Sequence, residues 1–368
     1  MINQNRSAAA GVGPDALGAA FEAIDRAAAG WCAAPLVVAK ARGLMAGYHA
    51  RWAAAGWETL GVEPVFDLPI INPATGRRSR TFRQAGRCDG LIARRGRRYL
   101  LKVKTTAEEI VRPGVPFWRR LLMDGQSGLY ALAQRQQGRP VAGTLYDVLR
   151  RPVIRPRGIP RGRPAETDPP GEGTLAEIRR RGTYFGRALS AGQRRAALGH
   201  ARETPELFAL RLAADTLRRP GWYFQRRIVV RSRQQLAHQA AELWQTADEI
   251  RCCRHGGRHY RNSDACMPYG VACPFLPICS GRVGPDSDRF RRQARIHPEL
   301  APQVAAADER QVLTHSRIRC FRLCRRKHYF RYELGIAPVE PTRSESFLLG
   351  RLIREATGAW WRSAGNGK

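Results

Sequence analysis

Apolar and polar positions along the chain follow two rhythms, one helical and one alternating. Residues 15–60 repeat at helical spacing and are rich in alanine, in LGAAFEAIDRAAAGW and LVVAKARGLMAGYHARWAAAGW. Residues 62–71 (VEPVFDLPII) change to strand character, and NPATGRR predicts a turn. A second strand is predicted over 80–93, carrying GRCDGLIA, then a hairpin turn at ARRGRR and a third strand at YLLKVKTT. The pattern returns to helix over 117–137 and to strand over 141–150. Residues 203–250 are again helical, interrupted by the strand YFQRRIVVRS, and residues 312–362 predict a helix, a tyrosine-containing turn and a second helix ending in Trp360 and Trp361.

Composition marks out the segments between. Six arginines fall from Arg150 to Arg163, within an Arg/Pro/Gly loop over 150–175 that is expected to be mobile or wrapped on a partner. Five cysteines lie within 252–281, and 285–311 predicts a linker. The chain thus divides into a helical segment (1–60), a strand-rich core (61–150), an Arg-rich loop with a helical extension (151–250), a cysteine region (251–284), the linker and a C-terminal segment (312–368).

Charge narrows the partner. Among 368 residues, 63 Lys and Arg face 31 Asp and Glu, a net charge of +32 that attracts polyanions and favours counterion release from phosphates. A GC-rich coding sequence would enrich arginine, but would not select against acidic residues. No run reaches the roughly 18 apolar residues of a membrane span. The opening MINQNRSAAAGVG has no signal-peptide core, so a cytoplasmic protein is expected, in a bacterial or phage-infected cell. In such a reducing compartment, nine cysteines point to metal ligation before disulfides.

Candidate chemistry sits in GRCDGLIARRGRRYLLKVKTT, residues 86–106. This segment resembles the core of the RecB-like PD-(D/E)XK nucleases, where an Asp ends one strand and Glu-x-Lys follows on the next. Residues two apart on a strand share a face, so two carboxylates can hold magnesium or manganese while the Lys steadies the attacking water. Asp89, as metal ligand, and Lys104 match the pattern; the Glu position is Lys102. Gln126 and Tyr130 lie one helical turn apart and match the Gln and Tyr that these nucleases place near the nucleic acid. The resemblance implies a restriction-endonuclease-like central mixed sheet flanked by helices.

The cysteines extend the likeness. Some RecB-like nucleases, the AddB subunit and CRISPR-associated exonucleases among them, hold a [4Fe–4S] cluster on four cysteines. Cys266, Cys273 and Cys279 lie in DACMPYGVACPFLPICSG, and Cys324 lies in SRIRCFRLCRRKHYFRYELGI, which resembles the family's Cys-Arg-Arg-Lys motif. The resemblance implies that these four thiolates tie the C-terminal segments to the core. A four-cysteine zinc site is the alternative, although structural zinc favours closer pairs.

In the family the Cys-Arg-Arg-Lys segment comes first, before a helix reading G-x-x-x-H-E-A. Here LLGRLIREATGAWW follows near the C-terminus, with Arg354 at the His position. The chain therefore reads as a circular permutation, with a truncated tandem copy as the alternative. Two functions follow from the resemblance. One is a metal-dependent DNA exonuclease or endonuclease; the other is a non-catalytic DNA-binding pseudonuclease that assists recombination or repair beside a helicase or recombination protein. A zinc-stapled protein without DNA affinity is discouraged by the charge.

Overall fold

The computed structural model describes residues 15–162, 171–293, 300, 310–339 and 344–365. Helices α1 (Asp15–Trp31) and α2 (Pro35–Trp52) form as the alanine-rich periodicity predicts, and strand β1 (Glu58–Val62) follows. The strand expected over 62–71 is broken. Glu63 adopts a left-handed backbone (φ 53°) and Pro64 follows it, so the chain leaves β1 and restarts as β2 (Val65–Ile71); proline has no N–H with which to continue a ladder. The strand expected over 80–93 is also two, β3 (Arg78–Arg87) and β4 (Gly90–Arg94), with Cys88 and Asp89 between them. The two breaks bond to each other: Glu63 N–H donates to Asp89 O at 3.2 Å and Cys88 N–H to Pro64 O at 3.0 Å.

Strand β5 (Arg97–Thr106) leads to α3 (Pro116–Leu121) and α4 (Gly125–Gln136). The single helix expected over 117–137 divides because Asp124 caps α4, its carboxylate accepting the Gln126 N–H at 3.0 Å. Strand β6 (Gly143–Arg150) is buried along nearly its whole length. Next come α5 (Leu175–Arg181), a small hairpin of β7 (Thr183–Tyr184) and β8 (Arg187–Ala188), and α6 (Ala191–His200). Helices α7 (Pro205–Arg218) and α8 (Pro220–Tyr223), strand β9 (Phe224–Val229) and helix α9 (Arg233–His255) complete the middle of the chain. The remainder comprises α10 (Leu276–Cys279), β10 (Phe290–Arg292), β11 (Gln311–Leu313), α11 (His315–Leu323), α12 (Arg325–His328), β12 (Ile336–Pro338) and α13 (Glu345–Gly365).

The strands form two principal sheets, not the single one that the sequence suggests. The larger has the order β1-β4-β5-β6-β9, with β5 and β6 parallel and the other pairs antiparallel. The smaller has the order β11-β3-β2, with β11 parallel to β3. Asp89 lies where the chain passes from the smaller sheet to the larger. The architecture is mixed α/β, with mixed sheets flanked by helices. One face of the larger sheet packs against α1, α2, α7 and α13 through Ile24, Leu44, Leu212, Leu101, Leu145 and Leu352. The other meets α4, α9 and α11 through Leu100, Tyr130, Leu243 and Phe321. Each such side chain contributes about 1.5–3 kcal/mol on burial. Among the described residues, no helix is long and apolar enough to cross a membrane.

The C-terminal segment belongs to this body. Helix α13 packs on α1, α2, β1 and β5. Gly350 permits the approach, since a Cβ there would stand 3.1 Å from Thr105 Oγ1. The arginine-rich stretch, expected to be mobile or on a partner, is held by its own chain over 151–162. Arg157 N–H donates to Glu203 (3.0 Å), Ile159 N–H to Ala201 O (2.8 Å) and the Arg211 guanidinium to Arg155 O (2.7 Å). Arg163 and the residues that follow it to 170 lie outside the described residues, as do 294–299 and 301–309 of the expected linker. Residues 290–292 of that linker are β10, paired with β12.

Candidate functional site

The break between β3 and β4 leaves Asp89 pointing at the neighbouring strand, where its carboxylate accepts the Val103 N–H at 3.0 Å. Alternation along β5 puts Lys102 and Lys104 on one face. Lys102 Nζ stands 3.1 Å from Asp89 Oδ2, and the two residues are only 6% and 7% exposed. Arg354 arrives from α13, with Nη2 3.3 Å from Asp89 Oδ1 and 3.8 Å from Glu63 Oε1. Glu63 also faces Arg87 (3.5 Å) and Arg362 (3.7 Å). Burial depresses the Lys102 ammonium and Asp89 opposes that shift, while Lys104 and Arg354 reinforce it. Burial would likewise lower Arg354, but Asp89 and Glu63 hold it above its ordinary value.

Lys104 is the more accessible lysine and pairs with Asp124 at 3.1 Å. Burial pushes the Asp124 carboxyl up, yet Lys104 and the Gln126 N–H more than offset this and hold it low. Gln126 Nε2 donates to Tyr130 OH at 2.9 Å, and the Tyr130 ring lies 5.7 Å from Lys102 Nζ, within cation–π reach. Six residues singled out in the sequence, Asp89, Lys102, Lys104, Gln126, Tyr130 and Arg354, thus gather from three distant segments.

Sequence reasoning missed His315. Its ring lies beside Gly125, and burial, with Lys104 and Arg319, lowers it to about 4 against the pull of Asp124, so it is neutral at pH 7. Its only sequence signal is a histidine opening the helix before the Cys-Arg-Arg-Lys motif. Glu108 and Glu109, the nearest spare carboxylates in sequence, pair with Arg120 and Arg112 instead.

This arrangement does not fit a divalent cation. Both Asp89 oxygens face cations, and neither a protonated lysine nor an arginine has a lone pair for a metal. Among the described residues, no three His, Cys, Asp or Glu side chains gather as a single-ion site.

Comparison with protein-family models, curated proteins and solved structures found no match.

The cysteines form a second constellation. Cys266, Cys273, Cys279 and Cys324 line one recess with Asn262, Phe275 and Lys327, without converging as one ion would require. All four are half-buried free thiols. Cys273 N–H donates to Cys266 O (2.7 Å), while the N–H groups of Asn262 (3.4 Å) and Lys327 (3.5 Å) point at Cys324 Sγ. Cys324 stands at the junction of α11 and α12, ending one helix and capping the next. Arg261, Arg326 and Lys327 at the rim offset thiolate charge. Cys320 is buried and its thiol is pushed up to about 11. Cys88 lies in the core at about 12, so it is inert.

Proposed function

We propose that this chain is a nucleic-acid-binding protein on the RecB-like PD-(D/E)XK plan, its divalent-cation site replaced by an internal ion-pair cluster. The observation that carries this reading is the pairing of Asp89 with Lys102 at 3.1 Å and Arg354 at 3.3 Å. These are the positions at which the family pattern has Glu and His. A magnesium- or manganese-dependent DNA nuclease using Asp89 and Lys104 is the second reading, and the same pairing weighs against it. Lys104, with the strongly cationic chain around it, supplies phosphate affinity without metal. The protein then acts as an accessory in DNA recombination or repair, beside a helicase or recombination protein.

The permuted order is supported by β11 lying against β3 and α13 against β5. Residues 312–365 then complete a fold that the rest of the chain leaves open. The recess supports a [4Fe–4S] cluster on Cys266, Cys273, Cys279 and Cys324. Four thiols around one hollow suit a multi-iron cluster better than a single tetrahedral zinc. Such a cluster, when bound, cross-links residues 266–279 to the α11–α12 junction.

Anaerobic purification, followed by an iron count, an absorbance spectrum, a DNA-binding titration and a nuclease assay on one sample, tests these readings together. Salt-sensitive binding without magnesium-dependent cleavage is expected. Robust cleavage that disappears in Asp89→Ala would overturn the non-catalytic reading.

A further inference from the structure

The hairpin between β4 and β5 closes on two residues, Arg95 and Gly96, both left-handed at φ 51° and 71°. Such a turn favours Asn-Gly, and an arginine in the first place is a local cost that points to use of its side chain. The turn holds Arg94, Arg95 and Arg97 at an exposed tip.

Beside the tip runs a groove of about 290 Å³ lined by Trp57, Arg94, Arg95, Arg97, Tyr99 and Ile228. It is far larger than the ~30 Å³ share of one water. Trp57 and Tyr99 meet edge to face at 5.5 Å, both half-buried, and Arg94 lies 5.1 Å from the Trp57 ring. Gly143, paired with Tyr99, keeps the gap towards Ile228 open. Tyr99 lies an odd number of residues from Lys102, so it faces the opposite side of the sheet, about 16 Å along the strand from Lys104.

We infer that this groove is a separate seat for single-stranded nucleic acid, with a base stacking on the Trp57 ring, which Tyr99 braces edge to face, and its phosphates held by Arg94, Arg95 and Arg97. Ring faces beside guanidinium groups suit an unpaired base and its phosphate together. A duplex keeps its bases stacked internally and cannot offer them. The inference shares with the proposed function only the class of ligand.

The test measures fluorescence anisotropy of the full chain with fluorescein-labelled (dT)10 and with an abasic decamer of equal phosphate count. Wild type should prefer (dT)10 by at least about fivefold, the lower end of the value of one stacked base. Trp57→Ala should remove that preference and spare abasic binding, whereas Trp57→Phe, which keeps a ring, should retain most of it. Arg94→Gln with Arg97→Gln should flatten the log–log salt slope by about 1.4 on both probes. Equal wild-type affinity for the two probes, or a preference that survives Trp57→Ala, overturns the proposal. Lys104→Gln separates it from the Asp89–Lys104 cleft. Loss confined to the groove variants sinks the cleft reading, and loss confined to Lys104→Gln sinks the groove. No wild-type binding to either probe sinks both.

Discussion

Neutralising Asp89 has opposite consequences in an ion-pair cluster and in a metal site. In Asp89→Asn the amide can still accept the Val103 N–H, but the Lys102 ammonium, 6% exposed, loses the carboxylate 3.1 Å away. Its remaining close charges, Lys104 and Arg354, are both positive. Coulomb's law at that separation, with an effective dielectric of about 20, gives roughly 5 kcal/mol. Lys102 can escape part of the cost by shedding its proton, which at pH 7 costs about 4–5 kcal/mol against an ordinary lysine. The expected loss is therefore about 3–5 kcal/mol, the usual result of breaking one side of a buried pair. Urea unfolding of wild type and Asp89→Asn at pH 7 measures it, and Asp89→Asn with Lys102→Met should recover most of it. The pH dependence follows. A buried lysine with a lowered folded pKa binds fewer protons folded than unfolded, so stability rises with pH between the folded value and about 10.4. The deficit of Asp89→Asn should accordingly shrink as pH rises from the variant's folded value to the wild-type one, above which Lys102 is neutral in both and the deficit levels off. A carboxylate awaiting a metal behaves otherwise, because removing its charge relieves the empty site. Unchanged or increased stability in Asp89→Asn would therefore refute the ion-pair reading.

Wild type should show no magnesium- or manganese-dependent cleavage. Lys102→Glu with Arg354→His should introduce it, and a further Asp89→Ala should abolish it, as scored on labelled DNA. Anaerobically purified protein should be brown, with about four irons per chain; Cys324→Ser should lose the iron and much of the fold, and a colourless protein with one zinc would reject the cluster. DNA binding should weaken with salt at a log–log slope of about −4 or steeper. Arg151→Gln with Arg155→Gln should flatten that slope, and an unchanged slope would place this segment away from the nucleic acid.

The sequence carried much of the candidate site because its logic is local. Lys102 and Lys104 share a strand, Gln126 and Tyr130 share a helical turn, and Asp89 stands two residues past the end of β3, before Gly90. Sheet membership is not local. The break at Glu63–Pro64 was visible only as a proline inside an apolar run, and nothing in that run shows that β1 and β2 join different sheets. Helices α5 and α6 were hidden because arginine-rich composition masks the few apolar positions, Leu175, Ile178 and Ala197, that bury them. The Tyr48–Asp147–Arg226 network was also invisible. Tyr48 OH donates to Asp147 at 2.5 Å, Arg226 Nη2 reaches Asp147 at 2.8 Å, and Trp361 Nε1 donates to Tyr48 OH at 3.2 Å. These partners come from four separate elements, and each alone reads as an ordinary polar or aromatic position.

The place of β11 bears on how the chain reaches this shape. Arg83 on β3 donates to the carbonyl of Arg310, 227 positions later. During synthesis the outer edge of β3 stays uncovered until β11 emerges, and the apolar flank of α1 until α13 does. Contacts of that span close slowly, and unpaired edges beside apolar surface are where nascent chains associate wrongly. A ribosome pausing before position 310 would hold a body lacking β11, β12 and helices α11, α12 and α13. The segment made after position 310 thus acts as the latch of the fold, and chaperone demand should track the delay before it is made.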